Sequence, residues 1–275
     1  MKPAPFDYVR AEDKAEAIAS LAEHAGVARI LAGGQSLLAM INMRVVSPEV
    51  LIDISRARDL NTIHSDGCNV ETGASITQSE LERWPQLETQ LPLVSKAMPH
   101  LGHFQTRNKG TVCGSIAHAD PSSELPLCLA VLGGEVILEK RRSRRAVPAR
   151  AFFTGLMQTE RLADELIVSV RFPAARGGEG FAFREMALRH GDFAIIAAAV
   201  RVTASSITIG IGGSAERPEV RDWPLLDGSA LDDALNGFAW ELPMQDDAQA
   251  NAKYRRHLVR VLGRSTVLEA RACLN

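Results

Sequence analysis

Hydrophobic positions in the first third of the chain alternate between helical and extended spacing. Apolar residues recur at helical spacing over residues 12–25, which predicts an amphipathic helix that ends at Gly26. Short apolar runs at 27–31 and 50–54 predict two strands, and the segment 37–43 between them has a helical pattern. The opening third is therefore predicted to be a small α/β unit.

The middle of the chain contains a second set of elements. Alternation at 69–74 predicts a strand, whereas residues 103–115 are rich in Gly, Asn, Thr and Arg and are typical of a loop. Asp120 and the proline that follows it indicate a capped helix, which runs to about Leu132 and ends at a pair of glycines. A further strand is predicted at 135–139.

A glycine-rich linker at 176–180 precedes a last section with a different pattern. Residues 194–203 predict a strand, or a helix that runs into a strand, and residues 207–213 predict a strand that ends in glycines. A long helix is predicted over 247–272. This last section therefore contains both helix and strand.

The length of 275 residues fits one large domain or two modest ones. We divide the chain at the glycine-rich linker, into a domain at residues 1–176, subdivided near 55–60, and a small α+β domain at residues 177–275. The fold class predicted from these elements is α+β.

Composition excludes several classes of function. The net charge of −2 argues against a general affinity for nucleic acid or for an anionic membrane. The four cysteines, Cys68, Cys113, Cys128 and Cys273, are not spaced as metal or iron–sulfur ligands. Because the chain has no charged-then-apolar leader and no apolar stretch of membrane-spanning length, we expect a cytoplasmic protein.

The first segment with chemical potential is a loop at residues 32–36, Ala-Gly-Gly-Gln-Ser. A strand leads into its two glycines and a helix leaves from its end. Glycines allow a close approach of backbone N–H groups to a ligand, and a helix N-terminus favours an anion, so the loop suits a phosphate or pyrophosphate. An ordinary strand–turn–helix connection with Ser36 as N-cap explains the same pattern. The loop is neither a P-loop nor a G-x-G-x-x-G motif.

The second segment is a loop at residues 106–115 that again combines small residues, hydroxyls and glycine. Such a loop also offers backbone N–H groups to an anion. Asp120 and Glu124 follow it, and each has a structural explanation, Asp120 as an N-cap and Glu124 as a carboxylate one turn into the helix.

Two other groups of residues have ordinary structural interpretations. The basic run 140–145 follows a predicted strand and is expected to form a solvated hairpin tip, although it could also contact a partner subunit. His100, His103 and His118 lack a carboxylate at ligand spacing, so they are expected to be capping or solvated residues. We predict no metal site and no catalytic residue in this chain.

The order and spacing of the two loops resemble the FAD-binding medium subunit of the molybdenum hydroxylases. That family includes the carbon monoxide dehydrogenase flavoprotein and the flavin part of xanthine dehydrogenase. Its motifs A-G-G-x-S/T, I-R-N-x-G-T-x-G-G-N/S-I-A and D-P-x-x-E/D correspond to residues 32–36, 106–117 and 120–124. Segments 183–194 and 209–218 also agree with the family pattern, and the resemblance extends from about Phe6 to the end of the chain.

The resemblance implies which residues bind FAD. The first loop would wrap the pyrophosphate, the second would line the flavin and phosphate side, an acid after it would bond a polar part of FAD, and a later backbone segment would contact the isoalloxazine edge. In this order, the residues are Leu31, Ala32, Gly33, Gly34, Gln35 and Ser36; Thr111, Val112, Cys113, Gly114, Ser115, Ile116 and Ala117; Glu124, with Asp120 before it; and Ile167.

Cys113 departs from the family pattern, because it occupies the position of the first glycine of the usual pair. Its side chain must be tolerated beside the cofactor, so we expect a negative φ at this residue. A redox-active thiol is the alternative interpretation, although no resolving cysteine lies near it in sequence.

The resemblance also implies the fold and the function. The expected fold is the two-part FAD-binding domain of the vanillyl-alcohol oxidase and carbon monoxide dehydrogenase flavoprotein type, followed by a small α+β domain. The expected function is electron transfer through FAD, within a heterotrimer or a dimer of heterotrimers. A large subunit would hold a molybdenum–pterin cofactor and a small subunit two [2Fe–2S] clusters, and this chain would pass electrons to an external acceptor. The alternatives are a self-contained oxidase of the vanillyl-alcohol oxidase type and an assembly scaffold without flavin.

Overall fold

The computed structural model describes residues 2–274, and its N-terminal lobe is a small parallel sheet with two helices. The three strands lie in the order β1-β3-β2, and both pairings are parallel. The predicted strands and helices of this lobe are confirmed. The elements are β1 (Asp7–Arg10), α1 (Lys14–Glu23), β2 (Ala28–Leu31), α2 (Leu37–Asn42) and β3 (Val50–Asp53).

The middle section of the chain forms a five-stranded antiparallel sheet in the order β4-β5-β10-β6-β7, with helices packed on it. Its strands are β4 (Ile63–Ser65), β5 (Asn69–Gly73), β6 (Glu135–Lys140), β7 (Ser143–Pro148) and β10 (Leu166–Pro173), with a separate hairpin of β8 (Phe153–Gly155) and β9 (Gln158–Thr159). Its helices are α3 (Gln78–Glu82), α4 (Leu87–Gln90), α5 (Pro92–Ala97), α6 (Phe104–Arg107), α7 (Val112–His118), α8 (Glu124–Leu132) and α9 (Ala149–Phe152).

Two predictions for this section were wrong in detail. The segment 103–115 is not simply a loop, because it contains α6 and the start of α7, and Thr111 caps α7 by accepting the N–H of Gly114. Asp120 is not the N-cap of α8, since its carboxylate accepts the N–H of Ser122 in a turn. The helix therefore starts later, and Glu124 is its first residue and not one turn inside it. Its predicted end at Leu132 is confirmed.

The last section is a four-stranded antiparallel sheet in the order β11-β12-β13-β14, covered by two helices. The segment 194–203 was predicted as a strand or as a helix that runs into a strand, and it contains the strand β12 without a helix. The strand predicted at 207–213 is confirmed. The long helix begins at residue 252, because Asn251 caps it by accepting the N–H of Tyr254. The elements are β11 (Gly180–Met186), β12 (Ile196–Val202), β13 (Ser206–Gly212), β14 (Glu219–Pro224), α10 (Gly228–Glu241) and α11 (Ala252–Ala272).

The two faces of this last sheet pack against different partners. Ala182 and Ala198 belong to a core shared with α10 and α11, whereas Phe183 and Ala199 belong to the core of the preceding section. Side chains of successive strand residues point to opposite faces, so the sheet is buried on both sides. Helix α8 contacts β12 and β13 directly, and all nine of its residues are buried. It therefore lies in the seam between the two parts of the protein.

The basic run 140–145 forms the β6–β7 hairpin, as predicted, and most of its charges are paired within the protein. Lys140 contacts Asp164, Arg144 contacts Glu71, and Arg145 contacts Glu160 and Glu165. These ion pairs account for much of the positive charge without a nucleic-acid partner.

Arg255 of α11 is buried and its guanidinium ties three segments together. Nη1 donates to the carbonyl oxygens of Ile195 and Gly213, both at 2.7 Å, and Nη2 donates to Asp247 at 2.5 Å. A buried carbonyl that loses its donor retains the cost of its lost hydration. This contact therefore locks the long helix onto the sheet.

We expect Arg255→Met to lower the free energy of unfolding by about 2–4 kcal/mol, because two carbonyl oxygens lose their donors. Chemical denaturation of the two proteins measures the difference. Arg264→Met is the matched control on the same helix, since Arg264 makes an exposed ion pair with Asp232 worth less than about 1 kcal/mol. Equal losses in the two variants would show that Arg255 has no special role.

Candidate functional site

The first loop connects β2 to α2 and leaves backbone donors free. Gly34 has a φ of +71°, which is the left-handed region that glycine adopts without strain. The N–H groups of Gln35, Ser36 and Leu37 donate to no protein atom within the described residues. Ser36 occupies the N-cap position of α2, as the structural interpretation of the loop had it, but its hydroxyl makes no capping hydrogen bond. The loop therefore presents three backbone N–H groups without a partner among the described residues.

The second loop lies directly against the first. An ideal Cβ built on Gly33 would lie 2.0 Å from the carbonyl oxygen of Lys109 and 2.7 Å from the Cα of Gly110. No other residue type fits at this contact without movement of the backbone. The structure thus brings together two loops that are far apart in sequence.

The second loop is held in place by the segment before α3, which the sequence analysis did not identify as part of the site. Gln78 donates its N–H to Gly110, and Val112 donates its N–H to Ile76. Thr77 caps α3 in a reciprocal capping box with Glu80. The Thr-Gln-Ser-Glu sequence of that capping box is a local signal for a helix start, but nothing in it indicates the contact with the loop.

Cys113 is the second residue of α7, so its φ is negative, as expected. Its side chain is 3% exposed and its Sγ lies 3.6 Å from the carbonyl oxygen of Thr72. Burial raises the pKa of the Cys113 thiol well above its usual range, so the reactive thiolate is not formed at neutral pH. These features argue against a redox role for this cysteine.

The remaining positions named for the second loop differ in accessibility. Gly114 and Ser115 are half-buried and Ala117 is exposed, whereas Val112 and Ile116 are fully buried. The side chains of the buried pair face the core, so only their backbone could meet a ligand. Outside this loop, Ile167 is also buried, beside an irregularity in the pairing of β10 with β6.

A buried group of ionisable side chains lies at the start of α8. Glu124 is 7% exposed, and burial, with the nearby charges of Glu185 and Asp120, raises the pKa of its carboxyl to about 8. Nδ1 of His100 lies 3.3 Å from Oε1 of Glu185, which raises the pKa of His100. Burial therefore favours the uncharged form of Glu124.

Glu185 enters this group from β11 in the C-terminal section, and sequence reasoning did not identify it as a site residue. Phe183-Arg184-Glu185 was noted only as agreement with the family pattern. His100 was expected to be a capping or solvated residue, whereas it forms a half-buried ion pair across the seam. Its partner comes from another section of the chain, so no local sequence signal could have found the pair.

Within residues 2–274, no three His, Cys, Asp or Glu side chains are grouped as ligands for a metal ion. In the same part of the chain, no helix is both long and apolar enough to cross a membrane.

We expect the thermal stability of Glu124→Gln to exceed that of the wild type by an amount that depends on pH. A carboxyl whose pKa is raised on folding, from about 4.5 to about 8, destabilises the folded state progressively as the pH rises between these values. Glutamine stays neutral, so the difference in Tm should grow from pH 4.5 to pH 8 and then level off. Glu88→Gln, the same change at an exposed position of α4, is the control. A difference that does not change with pH would show that Glu124 is ionised in the folded protein.

Comparison with known proteins identifies the family. Residues 4–175 match the FAD binding domain in molybdopterin dehydrogenase, and residues 181–270 match the CO dehydrogenase flavoprotein C-terminal domain. The carbon monoxide dehydrogenase medium chain of Afipia carboxidovorans is 32% identical, with 99% of each chain covered. The 6-hydroxypseudooxynicotine dehydrogenase complex subunit alpha of Paenarthrobacter nicotinovorans is also 32% identical, with 98% of this chain and 96% of the relative covered.

Solved structures show the same relationship. A chain of the carbon monoxide dehydrogenase from Hydrogenophaga pseudoflava superimposes with a TM-score of 0.94 at 29% identity, with 100% of both chains covered. The expected fold, with an FAD-binding part followed by a small C-terminal domain, is thereby confirmed. The self-contained oxidase is not supported, because the relatives are subunits of larger dehydrogenases. The chain belongs to the FAD-binding medium subunits of the molybdenum hydroxylases.

Proposed function

We propose that the contact between the two glycine loops forms the pyrophosphate site of FAD. The observation that carries this proposal is the set of free N–H donors at Gln35, Ser36 and Leu37. They follow Gly33, which lies so close to the backbone of the second loop that a Cβ there would displace it. Such donors bind phosphate oxygens, and the absence of side chains allows a close approach. Leu31, Ala32 and Gly34 complete the loop by setting its path between strand and helix. The residues present therefore fit the cofactor.

The second loop and the first turns of α7 line the flavin and phosphate side in this proposal. Thr111 fixes the start of α7, and Gly114 and Ser115 offer accessible backbone there. Val112, Cys113, Ile116 and Ala117 complete this wall, the three buried ones through their backbone alone. In such a wall, a thiol in place of glycine is tolerated because the Cys113 side chain points into the core.

Beyond the loops, three residues complete the proposed site. Glu124 presents its carboxyl to a polar part of FAD. The carboxylate of Asp120 is engaged in the turn before α8, so its role is to set the position of Glu124. Ile167 contacts the isoalloxazine edge through its backbone, since its side chain is buried.

Bound FAD supplies both one-electron and two-electron redox chemistry, which the amino-acid side chains lack. In this proposal the chain binds the cofactor and orients it. We place the domain boundary at residue 176, so that residues 1–176 hold most of the FAD contacts and residues 177–275 close the seam beside Glu124.

We further propose that the chain works in the cytoplasm within a heterotrimer, or a dimer of heterotrimers. Names such as medium chain and subunit alpha, given to its relatives, support a multi-subunit assembly. A large subunit would hold molybdenum–pterin and oxidise the organic substrate, and a small subunit would relay electrons through [2Fe–2S] clusters. The FAD subunit would receive these electrons and deliver them to an external acceptor. No residue of this chain is assigned to substrate chemistry.

We expect Gly33→Ala to purify with little FAD, because the added Cβ pushes the loop containing Lys109 away from the first loop. The measurement is FAD per polypeptide after purification. Gly237→Ala is the control, since Gly237 lies in α10 with open space around its Cβ position and a normal helical φ. Full FAD content in the Gly33 variant would show that the loop contact is not part of the cofactor site.

Purification of the native complex tests the function as a whole. We expect flavin, iron and molybdenum to copurify with this chain, and the separated chain to oxidise no organic substrate although its reduced flavin still reduces an acceptor. Metal analysis, a visible spectrum and steady-state assays of the complex and of the chain measure these properties. Substrate oxidation by the chain alone would favour the self-contained oxidase.

A further inference from the structure

The turn before α8 is held by the C-terminal domain through a backbone hydrogen bond. Gly213, which directly follows β13, donates its N–H to the carbonyl oxygen of Pro121 at 2.9 Å. Within the turn, the carboxylate of Asp120 accepts the N–H of Ser122 at 2.8 Å. The turn leads directly into Glu124, the first residue of α8. Gly213 therefore contacts the segment that determines where the carboxyl of Glu124 lies.

Two glycines make this close contact possible. Gly213 has a φ of +77°, and an ideal Cβ on it would lie 2.7 Å from the carbonyl oxygen of Ile195 and 2.9 Å from that of Ala194. An ideal Cβ on Gly212, the last residue of β13, would lie 3.1 Å from the carbonyl oxygen of Pro121. A side chain at either position would therefore strain the backbone or press on the turn.

Arg255 holds Gly213 from the other side. Its side chain is 6% exposed, and its Nη1 donates to the carbonyl oxygens of Gly213 and Ile195, both at 2.7 Å. The planar guanidinium presents its donors in a fixed geometry. Gly213 is thus fixed at its carbonyl by α11 and at its N–H by Pro121. Hydrogen bonds connect the long helix of the C-terminal domain to the turn before α8 without interruption.

Apolar packing of α8 on β13 does not by itself orient this turn. Cδ2 of Leu127 lies 3.3 Å from the Cβ position of Gly212, and its Cδ1 lies 2.8 Å from that of Gly210. These contacts hold the helix one turn after its start. A hydrogen bond is directional, so the bond from Gly213 fixes the position of the Pro121 carbonyl in a way that apolar contacts do not.

We propose that Gly212, Gly213 and Arg255 are positioning residues of the cofactor site, because they hold the turn before α8 where Glu124 can meet FAD. The inference rests on the proposed placement of Glu124 at the FAD site. The three residues act through the turn and not by contact with the cofactor. Hydrogen bonds weaken steeply when distance or angle departs from the optimum, so a small shift of the turn weakens the bond between Glu124 and FAD.

The test is the Kd of FAD for the full-length apoprotein, measured by quenching of flavin fluorescence at a temperature at which every variant is folded. Gly212→Ala adds a methyl group against the Pro121 carbonyl and needs no new backbone conformation, since the φ of Gly212 is not positive. We expect its Kd to rise roughly three- to tenfold, the effect of one weakened hydrogen bond. Gly263→Ala is the matched control, because its added methyl meets only the side chains of Leu235 and Ile209. Its Kd should equal that of the wild type.

Dependence on Glu124 separates positioning from a general loss of structure. Glu124→Leu has no hydrogen-bonding group, so its Kd should already be raised. If Gly212 acts through Glu124, Gly212→Ala should raise the Kd no further in the Glu124→Leu background, because effects on one shared contact are not additive.

Arg255→Lys tests the other end of the connection. A lysine ammonium lacks the planar fork that serves two carbonyl oxygens, so the Kd should rise in the wild-type background and not in Glu124→Leu. Arg264→Lys is the same change at an exposed ion pair on the same helix, and it should bind FAD as the wild type does.

Three results would overturn the inference while the wild type binds FAD. They are a wild-type Kd in Gly212→Ala or in Arg255→Lys, a rise that is equally large in the Glu124→Leu background, and a wild-type Kd in Glu124→Leu itself. If Gly212→Ala does not fold, Arg255→Lys in the two backgrounds decides. Failure of the wild-type apoprotein to bind FAD would instead overturn the proposed function.

Discussion

The complete burial of α8 is the constraint on which both domains depend. Its apolar side chains fill the space between the two larger sheets. Cγ2 of Val131 lies only 2.4 Å from the position that a Cβ on Gly210 would occupy. The first residue of this helix is Glu124, which cannot be moved into water without loss of the packing behind it. A carboxyl in such a position keeps its proton, because the folded protein offers the charge too little solvation. The apolar packing of the helix thus sets the chemical state of an acid at its end.

The two glycine loops depend on a different constraint, which is the absence of side chains. Gly33 lies so close to the backbone of Lys109 that any Cβ would separate the loops. The contact in turn needs the second loop to be anchored, and the strand-like bridge between Thr77 and Thr111 supplies this anchor. A surface formed in this way presents backbone donors, which bind a phosphate without any positively charged side chain. This explains how a chain with a net charge of −2 can have a site for an anionic cofactor.

The sequence predicted those features whose signals are local. The glycine pair at Gly33 and Gly34 located the loop at residues 32–36, and short apolar runs located strands β2 and β3. The start of α8 was wrong, because Asp-Pro is a common helix start, whereas here Asp120 forms a turn. The meeting of His100 and Glu185 could not be predicted, since it results from packing between domains. β1 was also not predicted, because its residues are mainly exposed and lack a clear alternation.

The position of Glu185 gives the C-terminal domain an ionic contact with the preceding section of the chain. A domain that only covered the FAD-binding part would need an apolar face, which Phe183 and Ala199 already provide. Placing the carboxylate of Glu185 in that face has a desolvation cost. His100 offsets this cost at Oε1 of Glu185 but not at Oε2. The ion pair between His100 and Glu185 therefore joins the two domains, in addition to the hydrophobic contact that holds them together.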